Sequence, residues 1–318
     1  MMIASVGCGG RVVARNPILP QSREQTMPRA ALSRRLFLQS SAALAAAAPS
    51  VLRAVDSPAK KPPMRISLQL YSVRNDCGKN FDVALAKVAE MGFAGVEFAG
   101  YHNYNGRPAD LAKRLKDLGL LAAGTHIGTN NLRGDALQKA IDFHQAIDCP
   151  FLIVPGDRDF THPEQSKALA ETFNKAAEVL KPLGMACGYH NHKDEFRKDG
   201  DKTYWDLFAE RTSQDVVLQQ DVGWTVAAGL DPAELVRRHP GRTRITHFKP
   251  TAVGPGKKAI IGQDSVDWAA VITACRDVGG TEWMTVEQED YPDGKSPMEC
   301  TALSLAALQK ILAELKPA

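Results

Sequence analysis

The sequence predicts an α/β protein whose body, residues 64–318, folds as a (β/α)8 TIM barrel. Short apolar segments alternate with amphipathic ones about every 30 residues, which is typical of repeated strand–helix units. Eight such pairs occupy about 255 residues, an ordinary size for one barrel domain. A doubly wound open sheet usually places a glycine-rich phosphate turn after its first strand. Here the chain continues as Ser72-Val-Arg-Asn75, so we predict a closed barrel.

The first half of the body contains four predicted strand–helix pairs. Residues 80–91 have apolar side chains at roughly helical spacing, and Gly92 is placed to end that helix as a C-cap. Pro108 is placed in the first turn of the next helix, where proline is tolerated. The predicted strands are 66–71, 95–98, 120–125 and 151–154, and the predicted helices are 80–91, 108–118, 135–147 and 163–183.

The second half repeats the pattern. Asp231 precedes Pro232 and is a natural N-cap for the helix that follows. The predicted strands are 185–189, 216–220, 244–248 and 283–286, and the predicted helices are 204–211, 232–238, 266–278 and 297–315. The chain thus contains eight units without a long structureless gap, as a barrel requires.

Charge is distributed unevenly along the chain. The formal net charge is +3, but residues 1–54 contain seven arginines, one glutamate and neither lysine nor aspartate. That segment contributes +6, which leaves the body at −3. A mildly acidic body argues against nucleic acid or an anionic membrane as the main partner.

The N-terminal segment resembles a twin-arginine export signal. Arg34 and Arg35 precede a weakly hydrophobic stretch and a run of small residues that is too short to span a bilayer as a helix. We predict that residues 1–54 are this signal and its n-region, and that 55–63 form a flexible lead-in. The protein is then periplasmic or extracytoplasmic, with no stable membrane insertion after export. A short N-terminal helix or membrane anchor is the alternative.

Four residues with metal-binding side chains lie at or just after the ends of the last four predicted strands: His190, Asp221, His247 and Glu287. A single histidine at such a place is more often a hydrogen-bonded core residue. Neighbouring strand ends of a barrel converge on one axis, however, so a set of four can share one ion. Two imidazoles and two carboxylates suit Mn²⁺, Co²⁺, Fe²⁺ or Zn²⁺ better than Ca²⁺ or Mg²⁺. We predict one divalent metal ion and no organic cofactor.

Several motifs between residues 64 and 315 resemble those of the xylose isomerase-like TIM barrels known as the sugar phosphate isomerase/epimerase family. They are Leu-Gln-Leu-Tyr-Ser-Val-Arg (68–74), Gly-Val-Glu-Phe-Ala-Gly-Tyr (95–101), Tyr-His-Asn-His (189–192), Gln-Asp-Val-Gly-Trp (220–224), Ala-Gly-Leu-Asp-Pro (228–232), His-Phe-Lys-Pro (247–250) and Val-Glu-Gln-Glu (286–289). The resemblance implies metal ligands on the fifth to eighth strands, where this family usually has Glu, Asp, His and Glu.

Three of these four ligands match directly, and one departs from the pattern. Asp221, His247 and Glu287 stand where the family has its ligands, whereas His190 stands where many members have glutamate. In the best-known epimerases that glutamate is one of two acid/base carboxylates, so its replacement argues against a two-carboxylate epimerisation. Imidazole binds metals as well as carboxylate does, so the resemblance still implies a metal site.

Other side chains at the predicted rim are candidates for catalysis. Glu97 could act as a base or bind a hydroxyl, or it could be an ion-paired barrel residue. His192 could orient a ligand or move a proton, or it could face solvent. Lys249 could stabilise a negatively charged intermediate or pair with a carboxylate. With Glu287, these residues form our predicted catalytic set.

A second group is predicted to bind the substrate. His126 follows the third strand and points to the same rim. Tyr71, Tyr101 and Trp224 are aromatic residues that could stack on the apolar face of a sugar ring, although aromatic residues in such loops often serve packing. We predict substrate contacts for Tyr71, His126 and Trp224.

These candidates support two related reactions. A metal bound to a ketone and its neighbouring hydroxyl makes the α-proton more acidic, and a base then gives an enediolate. Returning the proton elsewhere isomerises or epimerises the sugar, whereas expelling a β-substituent is an elimination. We predict a metal-dependent isomerase or epimerase of a keto sugar; the alternative is a lyase or dehydratase of a keto sugar or oxidised glycoside.

The expected partner is a small carbohydrate, and the sequence is compatible with an oligomer. No glycine-rich or arginine-rich phosphate cradle follows the seventh or eighth predicted strand, so we expect an unphosphorylated substrate. Two other classes remain open. An apurinic-site endonuclease shares the barrel but needs a cluster of metals, and a carbohydrate-binding barrel without catalysis needs none.

Overall fold

Eight parallel strands form the centre of the protein in the computed structural model, which describes residues 63–315. The strands are β1 (Arg65–Gln69), β2 (Gly95–Phe98), β3 (Leu121–His126), β4 (Phe151–Val154), β5 (Ala186–His190), β6 (Val217–Gln219), β7 (Ile245–Phe248) and β8 (Trp283–Val286). The predicted export signal over 1–54, and all but the last residue of the predicted lead-in, lie outside the described residues.

The sheet closes on itself. Its strand order is β6-β5-β4-β3-β2-β1-β8-β7, with every pairing parallel. The two ends meet where the Leu218 amide donates to the Arg242 carbonyl at 2.8 Å and the His247 amide donates to the Gln220 carbonyl at 2.9 Å. A parallel bridge between Asp221 and His247 continues this contact. The predicted (β/α)8 barrel is therefore confirmed.

Helices connect the strands around the outside. They are α1 (Arg74–Lys79), α2 (Phe81–Glu90), α3 (Pro108–Leu118), α4 (Gly134–Gln145), α5 (Gln165–Leu180), α6 (Tyr204–Arg211), α7 (Val222–Ala227), α8 (Pro232–Arg238), α9 (Trp268–Ala274) and α10 (Pro297–Glu314). A two-stranded antiparallel ribbon, Lys198–Asp199 with Lys202–Thr203, lies between β5 and α6. None of the helices within residues 63–315 is both long and apolar enough to cross a membrane.

Sequence-local signals set several helix ends. Pro108 is the first residue of α3, and Gly119 ends that helix with a left-handed φ of 67°. The Asp231 carboxylate accepts from the amides of the second and third residues of α8, as predicted. Ser296 and Glu299 form a reciprocal capping box at the start of α10. These contacts satisfy amides that the helices themselves leave without partners.

The structure corrects some predicted boundaries. The first strand ends at Gln69 rather than at residue 71, because the Gln69 side chain accepts from the Tyr71 amide and a 3₁₀ turn, Leu70–Val73, begins there. The sixth strand ends at Gln219, and the chain turns into α7 at Asp221. The predicted helix over 266–278 is α9 followed by a π-helical turn at Cys275–Gly279. In each case a different local structure takes the place of the last residues of the predicted strand or helix.

Two glycines allow close approach inside the barrel. A Cβ on Gly188 of β5 would lie 2.4 Å from the Val217 carbonyl oxygen of β6. A Cβ on Gly124 of β3 would lie 2.9 Å from Ile245 and 3.2 Å from a carboxylate oxygen of Glu97. Below the rim, seven buried residues fill the interior: Ala123, Phe151, Ile153, Ala186, Val217, Ile245 and Trp283. Polar side chains can consequently converge at the rim, above these seven apolar residues.

Candidate metal centre

The four predicted metal ligands meet at the carboxyl end of the barrel. His190 is the last residue of β5, Asp221 begins the turn after β6, His247 lies in β7 and Glu287 follows β8. All four are buried, with exposed fractions of 5% or less. One ligand atom from each lies within 4.8 Å of the corresponding atom of every other. The structure thus brings together residues that span about 100 positions of the chain.

The distances within this group suit one ion. His247 Nδ1 lies 3.0 Å from Glu287 Oε2 and 3.9 Å from Asp221 Oδ2. His190 Nε2 lies 4.0 Å from the same Asp221 oxygen. Metal–ligand bonds of about 2.1 Å place ligand atoms roughly 3 to 4 Å apart. The four side chains therefore need little movement to coordinate a common cation.

Asp221 gives the strongest sign that a cation belongs here. Its Oδ1 accepts from the Trp224 amide at 2.8 Å and so caps α7. Its Oδ2 is buried and has no hydrogen-bond partner among the described residues. Burial, and next the charge of Glu287, raises the pKa of Asp221 to about 7 against the opposing effect of Lys249. A divalent ion would satisfy this oxygen and favour its charged form.

His247 lies between two carboxylates. Its Nδ1 faces Glu287, and its Nε2 makes a close contact with Glu97. Burial alone would lower the pKa of His247, but Glu97 and Glu287 raise it to about 10. Burial, together with the charge of His247, holds the pKa of His190 well below its usual value. A metal at this centre would thus displace a proton from His247 and find His190 already neutral.

His126 forms a second donor group with the same two imidazoles. One nitrogen of each of His126, His190 and His247 lies within 4.8 Å of the others. The rings of His126 and His247 stack at 5.3 Å between centroids, with 15° between their planes. The sequence predicted His126 as a substrate contact, and the structure places it beside the metal ligands as well.

Glu97 lies behind His247 and is fully buried. Its Oε1 accepts from Gln219 Nε2 at 2.7 Å, and its Oε2 accepts from Gln69 Nε2 at 2.8 Å. Both oxygens of this carboxylate are thus engaged by protein groups, and Glu97 does not line the cavity. Of its two predicted roles, this geometry favours the ion-paired barrel residue.

The two glutamines that donate to Glu97 are part of the site and were missed by the sequence analysis. Gln69 is the last residue of β1, and Gln219 is the last residue of β6. Both are fully buried. An amide at the predicted buried end of a strand was the available signal, because a buried polar side chain needs hydrogen-bond partners.

A cavity of about 470 Å³ opens next to the four ligands. Its lining includes Tyr71, His126, His190, His192, Lys249, Glu287 and Glu289, together with Gly128 and Gly156. Tyr71 is 43% exposed at its edge. Most of the predicted catalytic and substrate-binding residues therefore surround one space that a small sugar could occupy.

Two predicted aromatic residues lie elsewhere. Trp224 is not among the residues that line this cavity, but its ring lies 4.7 Å from Lys249 Nζ and 5.7 Å from the His192 ring. Tyr101 donates to Thr125 at 2.8 Å and contacts His144 at 2.7 Å, so it belongs to the packing behind β2 and β3. Trp224 supports the cavity wall, and Tyr101 does not reach the cavity.

Lys249 is paired rather than free. Its ammonium contacts the Glu289 carboxylate closely and lies 3.7 Å from Glu287 Oε2. Its side chain is 10% exposed and lines the cavity. Both predicted roles are compatible with this position, since the ion pair holds the ammonium beside a metal ligand.

Comparison with known proteins identifies a family that has the same fold. A family model described as xylose isomerase-like TIM barrel matches residues 85–311. No curated protein matches the chain in sequence. A sugar phosphate isomerase/epimerase from Parabacteroides distasonis has 26% sequence identity and a TM-score of 0.65, covering 78% of this chain and 98% of its own.

Two more distant structures share the fold. A D-allulose 3-epimerase from Methylomonas has 14% identity and a TM-score of 0.58, covering 78% of this chain and 98% of its own. An AP endonuclease of family 2 from Brucella melitensis has 18% identity and a TM-score of 0.59, covering 78% of this chain and 99% of its own. At these identities the likeness concerns the fold alone.

Proposed function

Since the chain belongs to the xylose isomerase-like TIM barrel family, we propose that it is a metal-dependent isomerase or epimerase of a small keto sugar. The observation that supports this most directly is the unpartnered, buried Oδ2 of Asp221 among three other ligand candidates, beside a cavity of sugar size. The name of the Parabacteroides distasonis protein supports the same class of reaction.

The proposed ligands of the ion are His190, Asp221, His247 and Glu287. A mixed nitrogen and oxygen set favours Mn²⁺, Co²⁺, Fe²⁺ or Zn²⁺. When bound, such an ion supplies Lewis acidity toward a carbonyl oxygen and its neighbouring hydroxyl.

The proton transfers are assigned to imidazoles that line the cavity. Burial lowers the pKa of His126, and burial followed by the charge of Lys249 lowers the pKa of His192. Both rings are therefore neutral near pH 7 and can accept a proton from the carbon next to the carbonyl. One ring removing this proton and returning it to another position would interconvert isomers through an enediolate.

Lys249 and Tyr71 have supporting roles in this proposal. The Lys249 ammonium is held near Glu287 and would stabilise negative charge that develops on the sugar oxygens. Tyr71 lies at the edge of the cavity, where its ring could stack on the sugar.

The charges of the cavity favour a substrate without phosphate. Lys249 is the one lysine or arginine among its described lining residues, and Glu289 and Glu287 already balance its charge. A phosphate dianion would meet these carboxylates without a matching cation. We therefore assign an unphosphorylated keto sugar.

Proton exchange observed by NMR tests this function. The metal-loaded protein is incubated in D₂O with unphosphorylated keto sugars, and the D221N variant is the matched control. Deuterium at the carbon next to the carbonyl, with the sugar retained as one or two isomers, is the expected result. A new enone would instead identify the eliminating lyase. No exchange and no product with any metal-loaded sample would refute both.

A further inference from the structure

The side chains of Glu97 and Gln219 connect three imidazoles of the proposed site. Gln219 Oε1 lies 3.0 Å from His126 Nε2 and 3.1 Å from His190 Nδ1. Its Nε2 lies 2.7 Å from Glu97 Oε1, and the other Glu97 oxygen contacts His247 Nε2. Neither Glu97 nor Gln219 lines the cavity, so both act through the rings they contact.

The chemistry of the amide fixes which way Gln219 points. A carboxylate has only lone pairs, whereas an amide nitrogen can only donate. The Gln219 nitrogen therefore faces Glu97, and its oxygen faces the two imidazoles. Because that oxygen can only accept, His126 must have its proton on Nε2 and His190 must have its proton on Nδ1.

An independent contact shows that Glu97 is the acceptor. Gln69 Oε1 accepts from the Tyr71 backbone amide at 3.1 Å, which can only donate. The Gln69 nitrogen is thereby turned to Glu97 Oε2 at 2.8 Å. Glu97 is consequently a charged carboxylate surrounded by donors.

This arrangement determines which nitrogen of each ring is left for a metal or for a proton transfer. With its proton on Nδ1, His190 presents an unprotonated Nε2, the atom that lies 4.0 Å from Asp221 Oδ2. With Nε2–H donated to Glu97, His247 uses Nδ1, which lies 3.9 Å from the same oxygen. His126 keeps its lone pair on Nδ1. These are the atoms needed by the metal and by a base.

We propose that Glu97 and Gln219 are a positioning pair that sets the tautomers of His126 and His190 and holds the Nε2 proton of His247. The use of these tautomers in metal binding and proton transfer rests on the proposed function. The tautomers themselves are a property of the metal-free protein. Metal ligands commonly owe their orientation to such outer hydrogen bonds, and losing one typically costs about 10- to 100-fold in metal affinity.

Long-range ¹H–¹⁵N correlation spectra of the metal-free, full-length protein labelled with ¹⁵N-histidine test the tautomers directly. His126 and His190 signals are assigned by substituting each histidine in turn. We expect the proton of His126 on Nε2 and that of His190 on Nδ1. Either ring found mainly in the opposite tautomer would overturn the proposal, and this measurement needs no variant of the pair.

An exchange of the two side chains tests the pair as a unit. In Q219E two carboxylates face each other, and in E97Q two amides do, so the contact between positions 97 and 219 becomes less favourable and each single variant should bind Co²⁺ about 10- to 100-fold more weakly. In E97Q/Q219E the amide now at position 97 donates to the carboxylate now at position 219, whose other oxygen accepts from both imidazoles. We expect Co²⁺ affinity to recover to within about fivefold of wild type.

A neighbouring glutamine provides the matched control. Gln220 is 2% exposed, but its Nε2 donates to the Pro232 carbonyl at 3.1 Å and not to this cluster. Q220E should lower the free energy of unfolding while leaving the imidazole tautomers unchanged. Wild-type Co²⁺ affinity in a folded Q219E, a loss of affinity in Q220E as large as that in Q219E, or a folded double variant without recovery would refute the pair. If the pair behaves as expected while no sugar exchanges deuterium, the proposed function fails and the positioning pair stands.

Discussion

At the scale of single residues, Asp221 shows how one side chain serves both the fold and the site. Its Oδ1 caps α7, and its Oδ2 has no partner among the described residues. The cap fixes the direction of the carboxylate, so the second oxygen is held toward His190 and His247 whether or not a cation is bound. Such a fixed, unsatisfied oxygen costs stability in the metal-free protein, and cation binding would offset that cost.

Replacing Asp221 by asparagine should separate these two effects. The side-chain amide of D221N can still accept from the Trp224 backbone amide, but the substitution removes the charge that a cation would neutralise. We expect metal affinity to fall by at least about 100-fold, as for loss of a direct ligand. Calorimetric titration with Mn²⁺ or Co²⁺ measures this, and unchanged affinity and activity would contradict the assignment of Asp221 as a ligand.

The same variant should change how stability depends on pH in metal-free protein. The folded pKa of Asp221 is raised to about 7, so the folded protein retains a proton that the unfolded chain has released. This residue's contribution to stability therefore falls as the pH rises from about 4 to about 7. Urea unfolding should show that the free energy of unfolding of D221N, relative to that of wild type, is higher at pH 8 than at pH 5. The prediction would be contradicted if the difference in free energy of unfolding between D221N and wild type were the same at both pH values.

At the scale of elements, the distance between β5 and β6 determines how far His190 lies from Asp221. Gly188 permits that distance, since a Cβ there would lie 2.4 Å from the Val217 carbonyl oxygen. The Val217 carbonyl belongs to the backbone of β6, which is paired with β5 in the sheet. It therefore cannot move aside as the end of a flexible side chain could. The absence of a side chain is thus required two residues before a proposed metal ligand.

Gly188→Ala should therefore destabilise the barrel by about 1 to 3 kcal/mol, the usual cost of overpacking a core. Metal affinity should fall as well, because the strands that hold His190 and Asp221 are forced apart. Urea unfolding and Co²⁺ titration measure the two effects. Gly78→Ala in α1 is the control: nothing lies within 4 Å of its added Cβ, and alanine favours a helix. Equal stability of the two variants would count against this packing argument.

At the scale of the whole molecule, the proposed ion would join four consecutive strands. The ligands come from the carboxyl ends of β5, β6, β7 and β8. In the closed sheet, β6 and β7 meet through few hydrogen bonds, with Asp221 and His247 in the last bridge between them. A shared ion would reinforce the barrel at this junction.

Metal binding should accordingly stabilise the protein. At a free concentration about 100 times Kd, a ligand that binds only the folded state adds about 2.7 kcal/mol. For a domain of this size we expect Tm to rise by roughly 5 to 10 °C, reversibly on chelation. Thermal unfolding combined with elemental analysis measures the shift and the stoichiometry, and D221N should show little shift. About one ion per chain is expected; about three would indicate a nuclease, and none a barrel without catalysis.

Export concerns the full chain, including the N-terminal residues. We propose that residues 1–54 direct the protein through the twin-arginine route to the periplasm or another extracytoplasmic compartment. Replacing Arg34 and Arg35 together by lysine should leave most of the protein as a precursor inside the cell, because the route reads the arginine pair. Cell fractionation measures this, with Arg11 and Arg15 replaced by lysine as the control. Undiminished export of the first variant would refute the proposal.

The pattern of amino acids was enough to predict the barrel and the four residues that meet at its rim. Short apolar segments alternate with amphipathic ones because the strands are buried and the helices are half-exposed. The carboxyl ends of parallel strands always lie at the same edge of the sheet. His190, Asp221, His247 and Glu287 could therefore be located without knowing a single contact.

The side chains that face one another across the barrel could be identified from the folded protein but not from the sequence. Glu97 is 150 residues from His247 and 122 residues from Gln219, and nothing local in the sequence records these pairings. They depend on strand register and on closure of the sheet, which position each side chain to within a few tenths of an ångström. Hydrogen bonds and metal coordination are sensitive to such distances, whereas hydrophobic burial is not. The proposed roles of Glu97 and Gln219, and the place of Tyr101, therefore emerged from the folded protein.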